Sequence, residues 1–156
     1  MKLNELLTPQ RVLPAMQSTT PWEAMEELVD YLIEIGRVSR EAREGFLEAL
    51  RAREDQVSTG IGHGVAIPHA YCGSLTEVEA VLGRSVEGIE FETPDNAPVK
   101  FVILLLVPES QANLHLQTLA SVAGVFSKGG IRTSLKGATT ADEICEILLG
   151  AEASPV

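Results

Sequence analysis

Positive charge is scarce in this chain of 156 residues: 12 lysines and arginines stand against 22 aspartates and glutamates, a formal charge of −10. That balance argues against a nucleic-acid partner, because phosphate backbones favour clustered Lys and Arg. It fits a basic protein partner, or simply a soluble surface. Lysine is missing altogether between Lys2 and Lys100, so no glycine-rich stretch there can end in the Gly-Lys-Ser/Thr of a P-loop. Cysteine is limited to Cys72 and Cys145, without metal-ligand spacing, and free thiols in the cytoplasm are expected. No segment approaches the roughly 18–20 apolar residues that a membrane helix needs, and "MKLNELLTPQ" lacks the apolar core of a signal peptide. The expected location is therefore cytoplasmic, with no direct membrane insertion.

What is present reads as one domain over 1–150 and a flexible tail over 151–156. An apolar fraction of 45% and a charged fraction of 22% are ordinary for a globular protein. "RVLPAMQ" reads as a first strand that Pro14 confines to an edge or a bulge. Thr20, Pro21 and Glu23 form a helix start, with Trp22, Met25, Val29, Leu32 and Ile33 recurring at helical spacing until Gly36. Ser39 is placed to cap a second helix that turns Phe46, Leu47 and Leu50 inward. "EVEAVLGRSV" and "KFVILLLVP" read as strands separated by the turn residues of "ETPDNAP". The second is apolar on both faces, as a central strand covered by helices would be. A helix follows from about Gln111 to Ser127. The last one is capped by Thr140 with Glu143 and buries Ile144, Ile147 and Leu148. Helices, then strands, then helices predict a three-layer α/β/α sandwich with a mixed sheet.

The stretch "STGIGHGVAIPHA", residues 58–70, is the least ordinary. It is no dinucleotide fingerprint, since Gly64 falls one position early and Val65 stands where the third glycine belongs. One reading is a glycine-rich turn before a strand that His69 merely ends. The other is a site. Small residues from Ser58 to Gly64 can aim amide N–H groups at one point, an anion-binding nest in which Gly60, Gly62 and Gly64 join the hydroxyls of Ser58 and Thr59. Pro68 stiffens the backbone just before His69. A rigidly held histidine beside anion donors is what phosphoryl transfer needs, since that chemistry is mostly positioning and charge stabilisation.

His115 lies in the first turn of the helix after the central strand, on one face with Leu119, Val122 and Phe126, and with Ala112 and Ala123 beside them. An inward histidine there is ordinarily a satisfied core residue. A helix N-terminus, however, disfavours imidazolium and favours anions, so a neutral His115 can donate to a phosphoryl group if the fold brings it to His69. His63 sits between glycines in a turn, with no Cys, Asp or Glu at supporting spacing. No metal and no cofactor are expected.

On these residues the chain resembles the type-2 enzyme IIA family of the bacterial phosphotransferase system, the fructose and mannitol class. Glu54 opens the family's motif, Ile61 and Gly62 form its central pair, and Val65, Ala66, Ile67, Pro68, His69 and Ala70 close it. "GIEF" from Gly88, "PV" at Pro98 and "LLVPESQANLHLQTLA" extend the likeness over most of the chain. The resemblance implies the mannitol-type enzyme IIA fold and phosphorylation of His69 through Nε2. The implied donor is a phosphohistidine on the carrier protein HPr or a paralogue. It further implies that His115 helps to hold the phosphoryl group and that Arg53 steadies its charge. The "STGIG" and "LLVP" segments, in a stretch without IIB or IIC sequence, most resemble the nitrogen-related branch, whose members regulate other proteins. Two alternatives stand beside it: a sugar-specific IIA that passes phosphate to a IIB cysteine, and a binding module that is never phosphorylated.

Overall fold

In the computed structural model the backbone is described for residues 3–153, and side chains for 5–111 and 115–150. Its spine is a strand, β6 (Val99–Pro108), buried throughout except at the half-buried Lys100. Strand alternation divides that apolar run between two cores. Phe101, Ile103, Leu105 and Val107 face one, while Val102, Leu104 and Leu106 face the other. Around it lie β1 (Val12–Leu13), β2 (Gly60–Gly62), β3 (Val65–Ala66), β4 (His69–Cys72) and β5 (Glu79–Ile89). The six-stranded sheet runs β1-β5-β6-β3-β2, with β4 also on β6. It is mixed: β5 is antiparallel to β6, whereas β3 and β4 are parallel to it. β1 is an edge strand, as Pro14 requires.

Helices cover both faces, giving the expected three layers. On one side α2 (Pro21–Glu34) and α3 (Arg43–Gln56) bury Met25, Leu28, Leu32, Phe46 and Leu50. On the other, α1 (Leu3–Leu6), α4 (Ala112–Phe126), α5 (Gly129–Lys136) and α6 (Ala141–Ala153) close the second core. Both expected capping boxes form: the Glu23 amide donates to Thr20 Oγ1 at 3.3 Å and the Glu143 amide to Thr140 Oγ1 at 3.2 Å. Ala112 of the expected α4 stripe lies outside the described side chains, but His115, Val122 and Phe126 are buried and Leu119 packs against them.

Three local expectations change. Ser39 flanks a 3-10 turn over Arg40–Ala42 and makes no side-chain cap, so α3 starts only at Arg43. The helix α5 was not legible, because its first turn is Gly129–Gly130; buried Leu135 anchors it, and the Thr133 and Ser134 hydroxyls bond back to the Gly129 and Gly130 carbonyls at 3.1 and 3.0 Å. α6 continues to Ala153, three residues into the segment read as a tail.

One buried charge ties the layers together. Glu79, 2% exposed at the head of β5, accepts two hydrogen bonds of 2.9 Å from Arg37, and Arg11 stands 3.8 Å away. Removing one partner of such a pair strands the other charge in the interior. Arg37→Ala is expected to lower unfolding stability by about 3 kcal/mol, read from the urea midpoint. A loss below about 0.5 kcal/mol, within the range of ordinary surface changes, would mean that Arg11 alone satisfies Glu79.

Candidate active site

The second half of the glycine stretch is a single strand broken at a proline. β3 aligns Val65 with Phe101, and β4 aligns His69 with Leu105, along the same side of β6. Pro68 lacks an N–H, and the ladder breaks at Ile67–Pro68. Because side chains alternate, Val65 and Ile67 enter the core under α4, whereas Ala66, Ala70 and Cys72 enter the core under α2 and α3. His69 and Tyr71 therefore project toward α4, where His115 waits in the first turn.

The two histidines meet. Their ring centroids are 4.7 Å apart with planes inclined at 44°, and Tyr71 closes on His115 edge-on at 5.1 Å. His69 Nδ1 is 2.9 Å from the Ile67 carbonyl. A carbonyl only accepts, so Nδ1 carries the proton, and in the neutral ring Nε2 keeps its lone pair.

That carbonyl is itself held in place. Ile67 donates its amide to the Thr59 carbonyl at 3.0 Å. Thr59 in turn gives its amide and its hydroxyl to the two oxygens of Glu54, at 2.7 and 2.6 Å. Glu54 sits in the last turn of α3, so the end of a helix from the opposite layer fixes the rotation of the imidazole. Sequence reasoning named Glu54 only as the residue that opens the motif. Its clamp on Thr59 depends on a turn between α3 and β2 that no local pattern announces. Tyr71 was also missed, although its place two residues after His69 in a strand puts both on one face.

Burial sets the charge state. His69 is 7% exposed and His115 1%. Burial lowers the His69 pKa; the Ile67 carbonyl opposes this, the Arg53 charge adds to it and Glu54 opposes it. Burial, with contributions from His69 and Arg53, brings His115 down to about 4. Both rings are thus neutral near pH 7. Neither nitrogen of His115 has a hydrogen-bond partner among the described residues. An orphaned buried group costs about 1–3 kcal/mol, and such a group in a native fold calls for a functional explanation.

Arg53, next to Glu54, donates from Nη1 to the Val57 carbonyl at 2.8 Å and acts electrostatically on both rings. The structure therefore gathers Arg53, Thr59, His69 and His115. The remaining glycine-stretch residues have other partners. Ser58 donates its hydroxyl to the Glu92 carbonyl at 2.7 Å, and the Gly60 amide bonds to Ser58 Oγ at 3.3 Å. Gly60 has no room for a side chain, since a Cβ would lie 2.5 Å from the Glu92 oxygen. Gly62 and Gly64, both at positive φ, turn the β2–β3 hairpin. The register sets Val65 four residues down β6 from His69, about 13 Å of strand, so the hairpin turn is remote from the imidazole. The amides of 59, 60 and 63 go to three different acceptors, Glu54, Ser58 and Asp95.

Comparison with known proteins agrees with this architecture. The profile of a family described as "Phosphoenolpyruvate-dependent sugar phosphotransferase system, EIIA 2" matches residues 5–150. A Nitrogen regulatory protein of Bradyrhizobium diazoefficiens is 32% identical over 148 residues, covering 95% of each chain. The fructose-specific EIIABC component of Bacillus subtilis is 33% identical over 148 residues, 95% of this chain but only 23% of that longer protein. Among solved structures, the Nitrogen Regulatory Protein IIA-Ntr of Neisseria meningitidis superposes with a TM-score of 0.84 at 34% identity, covering 94% of this chain and 98% of that one. IIA mannitol of Escherichia coli shares the fold, with a TM-score of 0.75 at 23% identity over 91% of this chain and 98% of that one.

The neutral His115 has a consequence for stability. An unfolded histidine takes up its proton near pH 6.5, whereas the folded one resists until about 4. The unfolded state then binds more protons, so stability is intact above pH 6.5 and falls as the pH drops from 6.5 toward 4. In that window the wild type is expected to lose about 3 kcal/mol more than His115→Gln, measured by urea unfolding at a series of pH values. Parallel curves for the two proteins would show that His115 is not held neutral by the fold.

Proposed function

The chain belongs to the EIIA 2 family of the phosphoenolpyruvate-dependent sugar phosphotransferase system, whose members transfer phosphoryl groups, and we propose that it carries its phosphoryl group on Nε2 of His69. The observation that carries this reading is the histidine pair: one ring with Nδ1–H bound to a carbonyl, beside a second ring whose nitrogens have no partner among the described residues.

The step is an exchange of like bonds. The Nε2 lone pair attacks phosphorus on a donor phosphohistidine. As the new N–P bond forms, the old one breaks and its electron pair returns to the donor imidazole. Positive charge that develops on the His69 ring is met at Nδ1–H by the Ile67 carbonyl, with the Glu54 carboxylate behind it. The phosphoryl oxygens gain the Arg53 charge and an N–H of neutral His115, donors already in position before transfer. Among the predicted contacts, Thr59 acts through Ile67, while Ser58, Gly60, Gly62 and Gly64 shape the hairpin.

The donor is read as an HPr-type phosphocarrier. Val57, Tyr71 and Leu116 are exposed apolar side chains on the segments that carry Arg53, His69 and His115. They can dock such a protein and keep water from the labile bond. Residues 1–150 act as one unit in this reading, in the cytoplasm with the donor. No helix among the described residues is long and apolar enough to cross a membrane. The nitrogen-regulatory branch is preferred, supported by the IIA-Ntr superposition over nearly the full length of both chains. A sugar-specific role is the second reading, favoured by the fructose EIIABC relative.

Incubation with phosphoenolpyruvate, enzyme I and HPr is expected to add one acid-labile phosphoryl group to the wild type and none to His69→Ala, read by intact mass. Labelling of His69→Ala would overturn the assignment, and failure of the wild type would favour an unphosphorylated binding module. His115→Ala is expected to accept the group roughly 100-fold more slowly or worse, as for loss of one preorganised donor. Onward transfer to a IIB cysteine would move the protein to the sugar branch.

A further inference from the structure

A cleft of about 600 Å³ lies at the end of β6 away from His69, where the hairpin turn packs beside α5. Its floor is the outer limit of the core, where Val65, Phe126 and Leu135 are at most 1% exposed and Phe101 is 7% exposed, and its volume falls within the range of small-molecule sites. Three cations, Lys100, Arg132 and Lys136, line it together with His63, and no carboxylate does. In a chain of charge −10 that is a local reversal of sign.

These cations are not neutralised from within. Lys100 Nζ donates to the Val86 carbonyl at 2.7 Å, and Arg132 to the carbonyls of Phe126 and Ser127 at 3.0 and 2.8 Å. Those partners are uncharged. Among the described residues no carboxylate oxygen lies within 4 Å of Lys100, Arg132 or Lys136. The nearby Asp95 is turned to the amides of His63 and Ala97. His63 reaches the cleft because the turn holds it in the left-handed region, at φ 59° between Gly62 and Gly64. The glycine pattern thus builds something besides the approach to His69.

We propose that this cleft binds a small organic anion, its carboxylate or phosphate among Lys100, Arg132 and Lys136 and its apolar body against the accessible edge of Phe101. The assignment is independent of phosphorylation at His69.

The test is a titration of the full chain with octanoate, octyl phosphate, 1-octanol and inorganic phosphate, followed by amide chemical shifts and calorimetry. Octanoate or octyl phosphate is expected to saturate, with shifts centred on Val65, Phe101, Phe126 and Leu135, and the tighter of the two identifies the head group. Octanol and inorganic phosphate are expected to bind at least ten-fold more weakly. The double variant Lys100→Gln/Lys136→Gln should lose at least ten-fold in affinity for the anions and keep that for octanol, with the rest of its amide spectrum unchanged. Equal binding of octanol and octanoate, inorganic phosphate as tight as octyl phosphate, shifts scattered elsewhere, or an unaffected double variant would each overturn the proposal.

Discussion

A carboxylate at the end of a helix holds both donors of one threonine, and the rest of the site is positioned from there. Glu54 grips the Thr59 amide and hydroxyl, the Thr59 carbonyl takes the Ile67 amide, and the Ile67 carbonyl takes His69 Nδ1. The first link is charge-assisted and the stronger kind; the later ones are ordinary hydrogen bonds worth about 1 kcal/mol each. Their value lies less in stability than in direction. With Nδ1–H committed to a carbonyl, the free lone pair of the ring is Nε2. Pro68 contributes by breaking the ladder, which leaves the Ile67 carbonyl to a side chain.

The opposite layer answers with a histidine that has no hydrogen-bond partner among the described residues. His115 sits in the first turn of α4, where burial and the helix end both disfavour a charged ring. A satisfied core histidine would have bonded to a neighbour. This one lies tilted beside His69, against Tyr71, with neither nitrogen paired among the described residues. The arrangement gives up some stability near neutral pH, and in the proposed carrier it supplies a donor that needs no reorganisation when an anion arrives. Cationic side chains stand near both ends of β6, Arg53 toward His69 and Lys100, Arg132 and Lys136 around the cleft at the other. Salt screens charges beyond about 8–10 Å, so each acts locally despite the negative total.

Much of the framework was legible because its signals are local. Thr20 with Glu23 and Thr140 with Glu143 mark helix starts by chemistry that acts over three residues. The apolar run from Phe101 reads as a strand covered on both faces, and it is one. The motif from Glu54 to Ala70 carried the resemblance, and His69 with it. What escaped was either weak in propensity or built from distant parts. α5 begins on two glycines and exists because Leu135 finds a core. Ser39 looked like a cap, but a 3-10 turn intervened. The residues of the glycine stretch favour a nest over a plain turn, yet in the fold the stretch is a hairpin whose turn lies well away from the imidazole.

The sequence by itself determined the layers, the central strand and the histidine that the motif delivers. Periodicity, caps and spacing dictate which face each residue presents. Only the tertiary structure decided that His115 lies against His69, that Glu54 reaches Thr59, and that three cations line one cleft. Those juxtapositions join residues far apart in the chain. They follow from how α3, α4 and α5 pack on the sheet, and packing is settled by the shape of the whole core, which no local stretch encodes.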